Sequence, residues 1–538
     1  MRVLRRFPLN LPLSQPALAC LCLVYLFAGI TGHDPWKTDD AIHFGISYTM
    51  LGSGNWLLPQ LAGEFVAGAA PLYYWIGAGC AKLLGGWMPV HDAVRLASAL
   101  CGAAFLALLG VAGARLNGSQ DRGATAAILI AIGSLGLLLP IHDTQPQIAL
   151  LAASAAFYAG LAHLPQRPLG AGLEAGLGLG LGFLAAGVDA LLFLLPLLVL
   201  LPLHAQWRSR RALLGIAALL SVAAPLIALW PALLALHQPT AYSAWWSNLG
   251  VHLQDPILAK LPEYLELLGW FTWPALPLAV ASLWLLRRRL GDAAVYLPLA
   301  GSFVALLALL FFHDPRPLPA LPVLVPLILL ACAGVGRLRR GAANAFDWFG
   351  MMTFTLFAAL IWLGGFAIQL GIPGQIANNF ARLQPGFNAP GGMMMWLLAG
   401  AASLLWLWLV SAAPRSPWRG LTNWAAGVTL VWTLVVALML PWVDYGKSYR
   451  GVAAALKASL PAQHQCIAER RLGAAQRLSL DYFAGIKTQR GKTPACDLLL
   501  EQSGGKTAPE PEGWHTLWEG HRPGDRSERL RLYQRDRP

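Results

Sequence analysis

Runs of about 20 mostly apolar residues, the length that crosses a bilayer core, recur along this chain with short polar breaks between them. Thirteen are read near 15–32, 94–113, 123–140, 147–163, 171–186, 189–203, 212–233, 264–286, 293–312, 318–335, 349–371, 394–412 and 421–441. The stretch 171–203 reads in two ways. As one long helix it inverts every later loop; as two short helices broken at Ala186-Gly187 it keeps the arginine clusters on one side, so two are expected. The longest loop, 33–93, carries helical amphipathic spacing over 38–51, where Ile42, Ile46, Tyr48, Met50 and Leu51 suit a helix lying on the membrane surface. A second apolar helix is expected at 71–86. Beyond residue 442 the pattern changes to that of a small soluble domain, with a helical pattern at 446–460, a strand at 466–468, a helix at 475–485 and strand-like runs at 496–502, 513–518 and 528–534. The expected fold is mainly α: a polytopic membrane protein with about 13 transmembrane helices, juxtamembrane helices on the outer face and a small C-terminal α/β domain. The division is expected at 1–442, including the loop 33–93, and 443–538.

Composition supports a lipid-embedded chain. Hydrophobic residues make up 57% of it and charged residues 12%, too little polar surface to coat several soluble bodies of this size. The net charge of +13 is topological. Arg2, Arg5, Arg6; Arg115, Arg122; Arg167; Arg208, Arg210, Arg211; Arg287, Arg288, Arg289; Arg337, Arg339, Arg340; and Arg415, Arg419 fall in every second loop, as cytoplasmic loops do. The intervening loops carry only Lys37, Lys82, Arg95, Lys260, Arg316 and Arg382. A nucleic-acid partner is therefore not expected. The pattern implies a multi-pass protein of a bacterial inner membrane, with its N-terminus cytoplasmic and its tail periplasmic. The first run is read as a retained anchor, because no small-residue cleavage site is evident before Gly32-His33. Cys466 and Cys496 lie in that tail, where a disulfide is open. The glycine-rich run 170–182 has no preceding strand and is read as close helix packing rather than a phosphate loop.

Polar groups at the membrane edge need a reason. Asp39 and Asp40 open the 38–51 helix. Either could simply cap it, but one aspartate satisfies that use, and two also suit a general base or a cation site. Other outer-side groups are His142 and Asp143, Asp189, Glu263 and Glu266, and His313, Asp314 and Arg316. Arg316 suits a lipid phosphate, or else snorkels or pairs with Asp314. Carboxylates beside a phosphate-binding cation, open to lipid, fit a transferase that uses a lipid-phosphate donor, and also a lipid flippase.

The segment WKTDDAIHFGISYTMLGSGNWLLPQLAGEFVAGAAPLYYW resembles the first outer loop of the C-type membrane glycosyltransferases, in the protein mannosyltransferase and 4-amino-4-deoxy-L-arabinose lipid A transferase branch. There an acidic pair, usually Asp-Glu, precedes a run that Ile46-Ser47, Met50-Leu51, Ser53-Gly54-Asn55-Trp56, Pro59, Gly63 and Pro71-Leu72-Tyr73-Tyr74-Trp75 match. The resemblance implies an inverting glycosyltransferase with a polyprenyl-phosphate sugar donor, an outer-leaflet acceptor such as lipid A or another glycolipid, and contact with membrane lipids. It implies that Asp39 activates or orients the acceptor, with Asp40 beside it. The family's second aspartate corresponds to Asp143 or is replaced by Gln147, depending on the alignment of that loop. Two family lysines are absent: the one before the proline pair is Ala70, and the "TKG" reads Ala185-Ala186-Gly187, with Asp189 nearby. Arg95 and Arg316 are left as the expected phosphate partners, with His43, Tyr74, Asp189 and Glu263 as further substrate-side candidates. The lost lysines keep open a non-catalytic relative that binds or translocates a lipid-linked substrate. No cofactor is required by the sequence and no metal-ligand spacing is present, although Asp39 and Asp40 leave a divalent cation open.

Overall fold

The computed structural model describes residues 13–118, 120–249, 253, 257–412, 416, 418–491, 496–504, 510–525 and 527–536. Arg2, Arg5, Arg6 and Arg415 lie outside them. The chain begins with α1 (Gln15–Phe27), followed in the long loop by α2 (Asp39–Ser53), a hairpin of β1 (Gln60–Leu61) and β2 (Glu64–Phe65), and α3 (Leu72–Leu84). The membrane body continues through α4 (Val90–Asn117), α5 (Gln120–Gly133), α6 (Leu135–Leu138), α7 (Gln147–His163), α8 (Pro168–Ala186), α9 (Val188–Leu200), α10 (Arg210–His237), α11 (Pro239–Asn248) and α12 (Ile257–Phe271). It is completed by α13 (Ala275–Leu285), α14 (Ala293–Phe312), α15 (Pro317–Ala320), α16 (Leu324–Val335), α17 (Arg340–Leu370), α18 (Gly374–Leu383), α19 (Met393–Ala412) and α20 (Arg419–Lys447). The tail adds α21 (Arg450–Ala458), β3 (Ile467–Arg470), α22 (Ala474–Ala484), β4 (Thr488–Arg490), β5 (Leu498–Gly504), β6 (Trp514–Gly520) and β7 (Glu528–Arg535).

Among the described residues, eight helices are long and apolar enough to cross a membrane, nine if the bent pair α12–α13 is one span. Four shorter apolar helices, at Gln15–Phe27, Arg122–Gly133, Gln147–His163 and Val188–Leu203, occupy the other expected runs. Length alone therefore carries eight or nine crossings. The 171–203 stretch is two helices. Gly187, between them, has φ +62, a backbone conformation that favours glycine, so α8 ends there. The glycine-rich run packs helix on helix: a Cβ on Gly178 would stand 2.5 Å from the backbone nitrogen of Phe157 on α7, and one on Gly172 would strike the Gly215 carbonyl on α10. Small residues let these backbones approach, as membrane helix packing requires.

Two features differ from the sequence expectation. The apolar contacts of α2 are made largely with protein: Ala41, Phe44, Ile46 and Met50 are buried, because α3, α4 and α22 of the tail all pack against α2. The expected helix at 446–460 is the end of α20 followed by α21. The tail sheet has the order β4-β3-β5-β7-β6. Its first two pairings are parallel and its last two antiparallel. Leu498, Leu500, Leu530 and Leu532 alternate inward along β5 and β7 to form its core with Val452 and Leu456 of α21. Cys466 and Cys496 are joined in a disulfide.

Candidate active site

The site forms where the loop after α1, the start of α2, the first turns of α4 and the α6–α7 loop meet. Asp40 is its anchor. One carboxylate oxygen accepts from the Trp36 amide at 3.0 Å and the Arg95 guanidinium at 3.2 Å, and the other accepts from the Thr144 amide at 2.8 Å. Burial alone would raise the Asp40 carboxyl, but Arg95, His33 and the Thr144 contacts outweigh it and hold the group well below the usual carboxylate range. Asp40 is therefore permanently ionised and fully engaged, which corrects its expected place among the reacting carboxylates.

Arg95 is likewise corrected. It is 0% exposed, and besides Asp40 it donates to Asp92 at 3.1 Å and to the carbonyls of Ile30 and His33 at 3.1 and 3.3 Å. A guanidinium shared between two carboxylates and two carbonyls is a buried brace, not an open phosphate ligand.

Asp39, next in the chain to this anchor, points outward and is exposed. Partial desolvation raises its carboxyl above the ordinary value. Asp143 lies half-buried in the α6–α7 loop, close enough for the charges of Asp40 and Asp39 to act on it. Burial first, then repulsion from Asp40, push it up to about 7, against the pull of Arg95 and Lys447. The site thus pairs an exposed carboxylate with one that is half protonated near neutrality, the separation of character that acid–base chemistry uses. His43 and Tyr74 are hydrogen-bonded to each other at 2.9 Å, and burial lowers His43 to about 4, so the pair is neutral at pH 7. His142 is a core residue: its ring nitrogens meet the carbonyls of Leu138 and Tyr25.

Lys447, at the end of α20, escaped the sequence reading. Its ammonium lies 4.5 Å from the centre of the Trp36 ring, and its field reaches Asp143. Its only signal in the sequence is its place just after the last apolar run. The tail also grips this loop. Asp34 accepts from Arg450 and Ser448, and Glu528 accepts from Lys37 at 3.1 Å, Tyr449 at 2.8 Å and Gln476 at 2.6 Å.

The remaining candidates gather elsewhere. Asp189, at the start of α9, lies 3.7 Å from His313. Lys260 pairs with Asp314 at 2.8 Å, while Arg316, 76% exposed, is 3.9 Å from Asp314. Glu263 is exposed on α12. Ala70 and Ala186, the positions of the two absent lysines, line one cavity of about 220 Å³ together with Asp189, Asn248 and Trp245. Among the described residues no group of three or more His, Cys, Asp or Glu is placed to hold a metal ion.

No protein-family model matches the chain. Curated proteins do. The undecaprenyl phosphate-alpha-4-amino-4-deoxy-L-arabinose arabinosyl transferase of Pseudomonas aeruginosa is 31% identical over 419 residues, 72% of this chain and 73% of that protein. The chain belongs to this arabinosyl transferase family. The Edwardsiella ictaluri member is 27% identical over 452 residues, 79% of this chain and 76% of its own length. Crystal structures of ArnT from Cupriavidus metallidurans, in the apo state and bound to undecaprenyl phosphate, share the fold at a TM-score of 0.67 and 15% identity, covering 96% of this chain and 97% of theirs. As a member of the arabinosyl transferase family, the protein is a multi-pass membrane glycosyltransferase.

Proposed function

We propose that the protein transfers a sugar from an undecaprenyl-phosphate donor to an outer-leaflet glycolipid such as lipid A, with inversion at the anomeric carbon. The observation that carries the residue assignment is the contrast between the two adjacent aspartates: Asp40 is locked by Arg95 and Thr144, which leaves Asp39 outward at a fixed place. Asp39 takes the proton of an acceptor hydroxyl as its oxygen forms a bond to the anomeric carbon. The bond from that carbon to the phosphate oxygen breaks, and its electron pair leaves with the polyprenyl phosphate. Protonated Asp143 faces this charge as a hydrogen-bond donor rather than as another anion, and Lys447, whose field reaches Asp143, supplies positive charge there.

The loop 33–93 and the tail belong, in this reading, to the periplasmic face. The arginine clusters mark the opposite side, and the Cys466–Cys496 disulfide fits an oxidising compartment. The test is transfer of labelled sugar from the polyprenyl-phosphate donor in membranes. Wild type transfers, and Asp39→Asn loses about 100-fold or more, the range of a general base. Transfer surviving that change rejects Asp39 as the base.

A further inference from the structure

On the arginine-rich face, away from the carboxylates, a cavity of about 710 Å³ opens between the first turns of α17 and α20, lined by Arg340, Asn344, Asp347, Trp348, Ser416 and Arg419 among others. Two long helices begin here, of 31 and 29 residues, and neither N-terminus has a side-chain cap. Each leaves first-turn N–H groups without an intrahelical acceptor, at the positive end of its dipole. The only carboxylate in the lining is already engaged: Asp347 lies 3.3 Å from Arg419 and accepts from Asn423 at 2.6 Å. Arg340 makes no ion pair among the described residues and is exposed, with Arg337 and Arg339 exposed beside it. The Ser416 hydroxyl is buried with no partner among the described residues. The cavity is therefore a net cationic site with unmet donors.

The surface below it is apolar and open. Trp348, Met352 and Leu356, four residues apart on one stripe of α17, are 62%, 57% and 60% exposed, an apolar track that starts at the cavity and runs toward the middle of the helix. A free anion has no use for that track; acyl chains do.

We infer that this cavity binds the phosphate of an anionic phospholipid, with its acyl chains along α17. The headgroup phosphate meets Arg340, Arg419 and the two helix N-termini, as basic pockets between membrane helices do. The experiment uses the full chain purified in mild detergent, with native mass spectrometry of retained lipid and thermal unfolding after addition of phosphatidylglycerol, phosphatidylcholine or inorganic phosphate. Phosphatidylglycerol is expected to be retained and to raise the unfolding temperature, while the other two leave it unchanged. Arg340→Gln, an exposed position that does not threaten the fold, should lower retention about fivefold, the factor for one arginine at an anionic headgroup. Arg211→Gln, an exposed arginine of another loop on the same face, should not. Equal stabilisation by inorganic phosphate, equal retention of phosphatidylcholine, or equal effects of the two substitutions would overturn the inference.

Discussion

Replacing Arg95 with glutamine separates the two roles that an arginine near the carboxylates can have. In the structure its guanidinium braces Asp40, Asp92 and two loop carbonyls with no exposure to solvent. Arg95→Gln leaves Asp40 buried with two amide donors and no counter-charge. Removing one partner of such a buried pair costs about 3–5 kcal/mol, far above the 0–1 kcal/mol of a surface ion pair. The loss also depends on pH. With Arg95 present, the Asp40 carboxyl is held low, so its contribution to stability is present above the unfolded value near 3.8 and is lost only as pH falls below it. With Arg95 gone, burial dominates and the folded value moves above the unfolded one, so stability is lost as pH rises through the new folded value. Arg95→Gln should therefore be markedly less stable than wild type at pH 8 and closer to it at pH 5.5, and adding Asp40→Asn should restore about 2 kcal/mol or more by removing the stranded charge. Thermal unfolding of the detergent-solubilised protein, followed by loss of the monodisperse peak, measures both effects. Wild-type stability at both pH values, together with a raised KM for the lipid-phosphate donor, would refute the brace and restore Arg95 as a phosphate ligand.

Two further outcomes follow from the same site. Asp143, pushed up to about 7, is protonated below that value, so transfer should fall as pH rises through about 7 as a further negative charge faces the phosphate. In Asp143→Asn that limb should flatten in a rate profile from pH 5.5 to 8.5, and an unchanged limb assigns it to another group. Lys447→Gln and Arg316→Ala should each raise the donor KM, by about tenfold if each makes one charge-assisted contact of about 1.5 kcal/mol, with the acceptor KM unchanged. Donor kinetics that ignore both changes would remove both residues from the phosphate site.

The fold was largely legible because lipid imposes its own grammar. A backbone that must satisfy its hydrogen bonds internally inside a bilayer leaves long apolar runs, and loop charge is enough to place Gly187 between two helices. In the tail, β5 reads as a continuous apolar run because Leu498, Leu499 and Leu500 are all buried, across both faces of the sheet. The missed elements lack such constraints. β1 and β2 are two residues each and β4 has three, two of them exposed, too short to show a periodicity; α18 is different, since Ile376, Phe380 and Leu383 carry helical spacing along one face although none of its residues is buried. The site was half legible for a related reason. A motif located Asp39 and Asp40, but their different roles depend on Arg95, 55 positions on, and on the α6–α7 loop. Spacing along the chain carries no record of that meeting. The protein contacts of α2 are hidden for the same reason, since it packs against the tail helix α22, more than 400 residues later.

The cavity around Ala70 and Ala186 turns two separate departures from the family pattern into one structural fact. Both alanines line the same space, so the two lysine charges are lost from one place rather than from two. The charge that remains in its lining is the carboxylate of Asp189, with the His313 ring 3.7 Å away. A phosphate in that cavity would meet an anion without an opposing cation, a poor arrangement at a membrane edge where charges are weakly screened. Positive charge outside that cavity includes Lys447, whose field reaches Asp143, and Lys260 and Arg316, beside Asp314. The donor phosphate in this chain is therefore expected at one of these cations rather than in the alanine-lined cavity. That cavity, small and walled by Trp245, Leu192 and Phe312 around one carboxylate, has the chemistry for an uncharged or amine-bearing part of the substrate.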